Sequence, residues 1–278
     1  MTDQLPQEQQ DQCKTRPRGN ETAVEQAKAE ALIRELHDCA ENKSQGETGP
    51  KRRRNLVYAN KFEIALPQQN SNNSGTKNTL EVTSWRLNEF EYSKGTLPSL
   101  ARGLFTYQDM SPSMRNQIGT NDSNHNHISP ESATDGVSPQ SHNHILIRGY
   151  DKFFNIGEVN QTKLESLEAE TMGPYEVTLK ENGCIIFMAG LPPHLVGGKG
   201  GCVVSSKHNL GTIKQQLQKY GEVQQGGSDS EGLHPVKGRE WLEKNLAAKG
   251  KTVQEFGLWL WNNNVTAVAE VTYSFYAA

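Results

Sequence analysis

Hydrophobic positions in this chain come in short clusters, and their spacing changes from one cluster to the next. Between Ala23 and Ala40, the residues Val24, Ala27, Ala31, Leu36 and Cys39 fall near one face at helical spacing, which predicts a helix. Thr22 and Glu25 have the spacing of a capping box at its start. From Thr79 to Tyr92 the period shortens. Leu80 and Val82 alternate with polar neighbours, and Trp85, Leu87 and Phe90 serve as anchors of a strand. Ala101–Thr106 and Ile145–Asn155 are further ordered stretches, and a helix is expected over Thr162–Thr171, stopped by Gly173-Pro174. Tyr175–Leu179 and Gly183–Gly190 read as a pair of strands around a turn, Cys202–Ser206 as a short strand, and Val265–Val271 as the last. Helices are expected over Val236–Lys249 and Val253–Asn262, the second with Thr252 and Glu255 as a capping box. Strands and helices interleave with no βαβ rhythm and no repeat, so the expected fold class is α+β with antiparallel sheets.

The polar stretches between these clusters set the organisation. Residues 1–50 form a polar N-terminal extension with one helix, and residues 51–278 form the main domain. Residues 1–21 are Gln-rich and charged, and 41–55 read as a linker containing Lys51-Arg52-Arg53-Arg54. That basic run suits a solvated linker first, and phosphate contact or nuclear import second. The tract from about residue 108 to 144 is rich in Ser, Asn, His, Pro and Gly, and is too long and polar for a tight connection. A disordered surface insertion is expected there. His125, His127, His142 and His144 lie in it, but a floppy tract lacks the second shell that fixes imidazole ligands. Pro192–Gly201 and Gln224–Glu231 are expected loops.

Composition narrows the class. Hydrophobic content of 34% is low for a fully packed globule of 278 residues, so part of the chain is expected to stay unfolded. A formal charge of -3 leaves nucleic-acid binding open, because local charge decides phosphate contact. Cys13, Cys39, Cys184 and Cys202 have no Cys-x-x-Cys spacing, which argues against a disulfide scaffold or a zinc site. No secretory signal pattern is visible at Met1–Pro6, and no apolar run approaches the ~20 residues needed to span a bilayer. A soluble, intracellular protein is expected, with cytoplasm and nucleus both open.

The chemistry centres on Lys180-Glu181-Asn182-Gly183. A lysine at a strand end, before a turn glycine and another strand, suits an amine that attacks a nucleotide phosphorus; the glycine lets backbone come close at no steric cost. Lys43-Ser44-Gln45-Gly46 fits the same pattern but has no strand on either side. Lys180 is distinguished by its downstream company: Ser206-Lys207-His208-Asn209, and Val265 to Glu270.

Several segments together resemble the ligase domain of fungal-type tRNA ligases, in the covalent nucleotidyltransferase superfamily. They are Ser84-Trp85 with Glu89 and Tyr92, Ala101–Thr106, Arg148–Glu158, Lys180–Phe187, Ser205–Gly211 and Asn264–Glu270. The resemblance implies that Lys180 attacks the α-phosphorus of ATP, giving a lysyl-AMP that passes to the 5′-phosphate of an RNA end. The 3′-hydroxyl of the other tRNA half then seals the strand. An ordinary lysine, with a pKa near ~10.4, is protonated at neutral pH, so nearby cations or desolvation must favour the free amine. By the same resemblance Arg102, Lys152 and Lys207 hold phosphates, Arg148 is a weaker candidate, and Gly183 belongs to the nucleotide-binding turn. Phe154 contacts adenine or shapes its pocket, with Phe153 assigned to the core, and Glu270 contacts the nucleotide or its Mg²⁺. His208 is expected to contact phosphate or solvent rather than act as a base, and Trp241, Trp259 and Trp261 to pack in the core.

The chain departs from the family pattern after Glu270, where the late glutamate and lysine motifs would come next and only eight residues remain. Polynucleotide kinase and cyclic phosphodiesterase domains of the full-length enzymes are also not found. A ligase domain truncated after the motif glutamate, and impaired in adenylylation, is therefore expected. A non-catalytic module that binds RNA ends is the alternative. DNA ligase or mRNA-capping chemistry is disfavoured by Arg148–Glu158 and Thr266–Glu270.

Overall fold

A computed structural model describes residues 23–41, 55–66, 79–109, 142–211 and 230–272. Thr22, Lys43–Gly46, Lys51–Arg54, His125, His127 and most of the 108–144 and 224–231 tracts lie outside the described residues. Helix α1 spans Ala23–Glu41, followed by strands β1 (Val57–Ala65), β2 (Thr79–Leu87), β3 (Leu104–Asp109) and β4 (His142–Arg148). Helix α2 (Leu164–Glu170), β5 (Cys184–Gly190), β6 (Cys202–Ser205), α3 (Ser230–Ala247), α4 (Val253–Asn262) and β7 (Thr266–Val271) complete the order. Among the described residues all pairings are antiparallel, in two sheets of order β1-β2-β3-β4 and β6-β5-β7. The α+β expectation holds.

Strand alternation produces the layers, because successive side chains point to opposite faces. Leu80, Val82, Phe105 and Tyr107 of the first sheet pack with Phe187, Ala189 and Val203 of the second, forming a shared core between the sheets. The other face of the first sheet carries Trp85, Leu87 and Leu104 against Leu36 of α1. Ile186, Met188, Cys202 and Val204 turn the other way, toward Leu242 of α3 and Phe256 and Leu260 of α4. The result is helix, sheet, sheet, helices. Gly103 and Gly149 flank the ring of Phe187, and a Cβ on either would overlap that ring. The Gly149 Cβ would also strike the Arg102 carbonyl. Close backbone approach is the reason for both glycines.

Several expectations need correction. Val24 is 62% exposed, and Ala27 and Ala31 are exposed too; the buried stripe of α1 runs through Ile33 and Leu36, flanked by Leu32, Cys39 and Ala40. Alanines bury too little area to choose a face against Leu and Ile. Tyr175–Leu179 is not a strand. It has no pairing partner among the described residues, and Val177 and Leu179 are about nine-tenths exposed. His142 and His144 belong to β4 rather than to the insertion. Strand β1 was not anticipated: Asn60-Lys61 interrupts its apolar pattern, and only pairing with β2 defines it. Phe90 is exposed in a 3-10 turn over Glu89–Lys94, and Trp241 and Trp259 are about half exposed rather than core.

The boundaries of the other helices also shift. The helix expected over Thr162–Thr171 shortens to α2, and α3 begins six residues early with Pro235 inside it. Helix α4 has the expected span, and its capping box is complete: Thr252 Oγ1 accepts from Glu255 N, while Glu255 Oε2 accepts from Thr252 N.

Candidate nucleotide and phosphate site

Three segments far apart in sequence end at one end of the second sheet. Strand β5 begins there just after Gly183, and β6 and β7 finish there at Ser205 and Val271. The antiparallel register sets Glu270 opposite Ile185, and both Val268 and Ser205 opposite Phe187. Directly opposed residues share a face of the sheet. Glu270 and Val268 therefore lie on the face turned toward the first sheet, and both are exposed there. Glu270 is the next-to-last residue of β7, two residues beyond the position opposite Phe187.

The turn carrying Lys180 is rooted beside Glu270. A Cβ on Gly183 would overlap the Val271 carbonyl and stand 3.2 Å from Glu270 Cγ. This close packing is why glycine occupies the fourth place of Lys-x-x-Gly. Lys180 itself is exposed, and its Nζ donates to Asn182 Oδ1 at 2.9 Å and the Glu181 carbonyl at 3.4 Å. The amine is bonded to its own turn.

Cations gather on the adjoining rim. Ser84 of β2 donates to the His208 carbonyl at 3.2 Å, which fixes the 206–209 loop against the first sheet. Arg86, two residues along on the same strand, is close enough for its charge to act on His208. Lys207 donates to Glu89 Oε1, and Arg102 Nη2 lies 3.6 Å from the same oxygen. The Lys207 hydrogen bond holds the Glu89 carboxyl below the usual carboxylate range, against a smaller opposing effect of burial. Burial first, then the Lys207 charge, brings the His208 pKa down to about 4, so its ring is neutral at physiological pH. Three atoms here are buried without a hydrogen-bond partner among the described residues: Arg102 Nε, Ser205 Oγ and His208 Nδ1. Such orphans are uncommon in folded proteins and call for a reason.

The remaining candidates are held elsewhere. Backbone bonds from Arg102 N to Tyr150 O and from Lys152 N to Leu100 O, each 2.9 Å, pair the 100–102 and 150–152 segments. Within that frame Lys152 Nζ donates to both Glu158 oxygens, at 2.8 and 3.0 Å, and lies 4.5 Å over the Phe154 ring. Arg148 pairs with Asp151 at 2.6 Å. The structure thus joins Arg102 with Lys207, and Gly183 with Glu270, while Lys152 and Arg148 have local carboxylate partners. The aromatic pair reverses the expected burial. Phe153 is 73% exposed and stacks on Tyr150 at 4.7 Å, whereas Phe154 packs half-buried beside the α1 cluster.

Arg86 is a member of the site that reading the chain did not single out, and Glu89, quoted there among the segments of the resemblance, was given no role. Alternation along β2 places Arg86 on the same face as Ser84, which is a usable signal; nothing local marks Glu89 as the partner of Lys207. Among the described residues no group of three or more His, Cys, Asp or Glu could cage a metal. Glu270 alone suits Mg²⁺, which commonly takes one or two carboxylates and completes its shell with phosphate oxygens and water. Nor is any described helix long and apolar enough to cross a membrane.

The pattern of a family described as RNA ligase matches residues 100–276. The chain is 37% identical over 212 residues to tRNA ligase 1 of Schizosaccharomyces pombe, covering 70% of this chain and 21% of that protein. It is 33% identical over 196 residues to tRNA ligase of Candida albicans, covering 69% of this chain and 19% of that one. The chain thus spans about a fifth of the length of these relatives. With that match running through the Lys180 turn, the Lys207 loop and the Glu270 strand, the chain belongs to the RNA ligase family, as a ligase domain of the fungal tRNA ligase type.

Proposed function

We propose that the protein is an ATP-dependent RNA ligase of tRNA splicing that works through a lysyl-AMP. The observation that carries this reading is that the Lys180 turn, the loop after β6 that carries Lys207, and Glu270 all lie toward the same end of a single sheet. In the first step the free amine of Lys180 forms a P–N bond to the α-phosphorus of ATP while the α–β P–O bond breaks and pyrophosphate leaves. The 5′-phosphate of an RNA end next takes the AMP, returning the amine. A 3′-hydroxyl then attacks that 5′-phosphorus, closing the phosphodiester and releasing AMP.

The residues of this chain would share the work by position. Arg102 and Lys207 offer a planar fork and a point charge to phosphate oxygens. Glu270 would hold Mg²⁺, which when bound neutralises phosphate charge. Lys180 has to leave Asn182 to reach a nucleotide, a rearrangement of an exposed turn with few packing contacts to break. Lys152, Arg148 and Phe154 shape the rim from the segment that positions Arg102.

A second reading is a non-catalytic module that binds RNA ends, and the amine's bond to its own turn favours it. One assay decides. The chain is incubated with Mg²⁺ and ATP labelled at the α-phosphate, beside Lys180→Ala and a form extended to the length of the relatives. Covalent label that needs Lys180 supports the ligase. RNA binding with no label in any form supports the module.

A further inference from the structure

We infer that Glu89 is a displaceable internal anion that makes the Lys207–Arg102 site selective for terminal phosphates over the phosphodiesters of an RNA backbone. This rests on the reading that the cluster receives phosphate, and it adds what kind of phosphate is admitted.

The carboxylate is the more exposed member of both of its ion pairs. Its side chain is 56% exposed, against 28% for Arg102 and 24% for Lys207. An anion arriving from solvent meets Glu89 first. The backbone beneath it is fixed: Asn88 Oδ1 accepts from Phe90 N at 3.2 Å, and Asn88 Nδ2 donates to the Asn55 carbonyl at 3.2 Å. The side chain can therefore swing outward while the turn stays in place. Arg102 and His208, both close enough for their charges to act on Glu89, each keep a buried nitrogen without a hydrogen-bond partner among the described residues, Nε and Nδ1, as does Ser205 Oγ two residues before Lys207.

Charge then sorts the ligands. The cations that act on Glu89 are Lys207 and Arg102, with His208 neutral and Arg86 acting on the His208 ring. A phosphodiester carries one negative charge, so exchanging it for Glu89 gains nothing in charge and forfeits an already positioned partner. A phosphate monoester approaches two charges near neutral pH, and a polyphosphate end carries as many or more. Those ligands gain attraction by the exchange. A carboxylate that competes better against the wrong ligand than the right one is a device of specificity rather than of affinity.

The test compares the full chain with Glu89→Gln, which keeps shape and removes charge. Fluorescence anisotropy measures binding of one short RNA carrying either a 5′-phosphate or a 5′-hydroxyl. The wild-type chain is expected to prefer the 5′-phosphate. In E89Q the 5′-hydroxyl RNA gains affinity and the preference falls by about tenfold. Lys207→Ala should lose the preference in the opposite way, by weaker binding of the 5′-phosphate RNA. Excess inorganic tripolyphosphate abolishes the preference if nucleotide phosphates share the site, and leaves it intact if only the RNA end enters. A preference unchanged in E89Q, or equal weakening of both RNAs, overturns the proposal, the latter because it would make Glu89 a mere prop for Lys207. Label transfer is scored separately. A chain that sorts RNA ends but never labels would retire the ligase chemistry and leave the Glu89 device standing.

Discussion

Ser84 donates its hydroxyl to the backbone carbonyl of His208 at 3.2 Å, tying a buried position of one sheet to the loop that presents Lys207 from the other. The bond adds a tie between the first sheet and the loop whose Lys207 pairs with Glu89. Ser84→Ala should lower stability by about 1 kcal/mol, the ordinary net value of such a bond. It should weaken 5′-phosphate RNA binding as well. Urea unfolding together with anisotropy checks both. A stability loss with unaltered binding would show that the 206–209 loop keeps its place without Ser84.

Gly183 has no room for a side chain beside Val271. In Gly183→Ala the turn must move away from Glu270, at a cost of about 1–3 kcal/mol for overpacking. Label transfer should fall at least as far as in a Glu270→Gln variant assayed alongside. Normal labelling by the alanine form would mean that the close seating of this turn is not needed for the chemistry.

Phe187 joins the core between the sheets to the site, because Gly103 and Gly149 lie on its ring and directly follow Arg102 and Arg148. Phe187→Ala should cost about 3–5 kcal/mol. Phe187→Leu should cost less and keep the fold. The expected reading is a lower urea midpoint with an unchanged slope. A slope change would point instead to loss of two-state behaviour.

The acid response of His208 follows from its burial. Its folded pKa is about 4, while an unfolded histidine titrates near ~6.5. Between those values the unfolded chain binds the proton and the folded chain does not, so stability falls as pH drops from about 6.5 toward 4. The full loss is roughly 3 kcal/mol. Glu89 adds to the acid loss at the low end, since its lowered folded pKa gives stability that disappears as pH falls through that value. Urea midpoints across this range, compared with those of His208→Asn, give the check: the variant's slope should be shallower between pH 6.5 and 4. Parallel slopes would place the acid sensitivity in other groups.

Much of the fold was legible because local rules decide it. Helix α4 appeared at its full span from the Thr252–Glu255 cap and its apolar face, β2 followed from alternation although it stops at Leu87, and β5, β6 and β7 were legible as short apolar runs between turn residues. Strand β1 was hidden because its pattern has meaning only opposite β2. The exposed run Tyr175–Leu179 misled for the converse reason: apolar alternation predicts a strand, but only a neighbouring strand can supply its hydrogen bonds.

For the site, the chain itself determined which chemistry was possible, by carrying a Lys-x-x-Gly turn, a Ser-Lys-His loop and a strand ending in Glu270. Folding decided which of those groups meet. Antiparallel register brought Glu270 opposite Ile185 beside the Lys180 turn, and packing between the sheets brought Lys207 to Glu89. Residue identity fixes charge and reactivity, whereas distances between remote segments depend on strand pairing and layer packing, which no local pattern encodes.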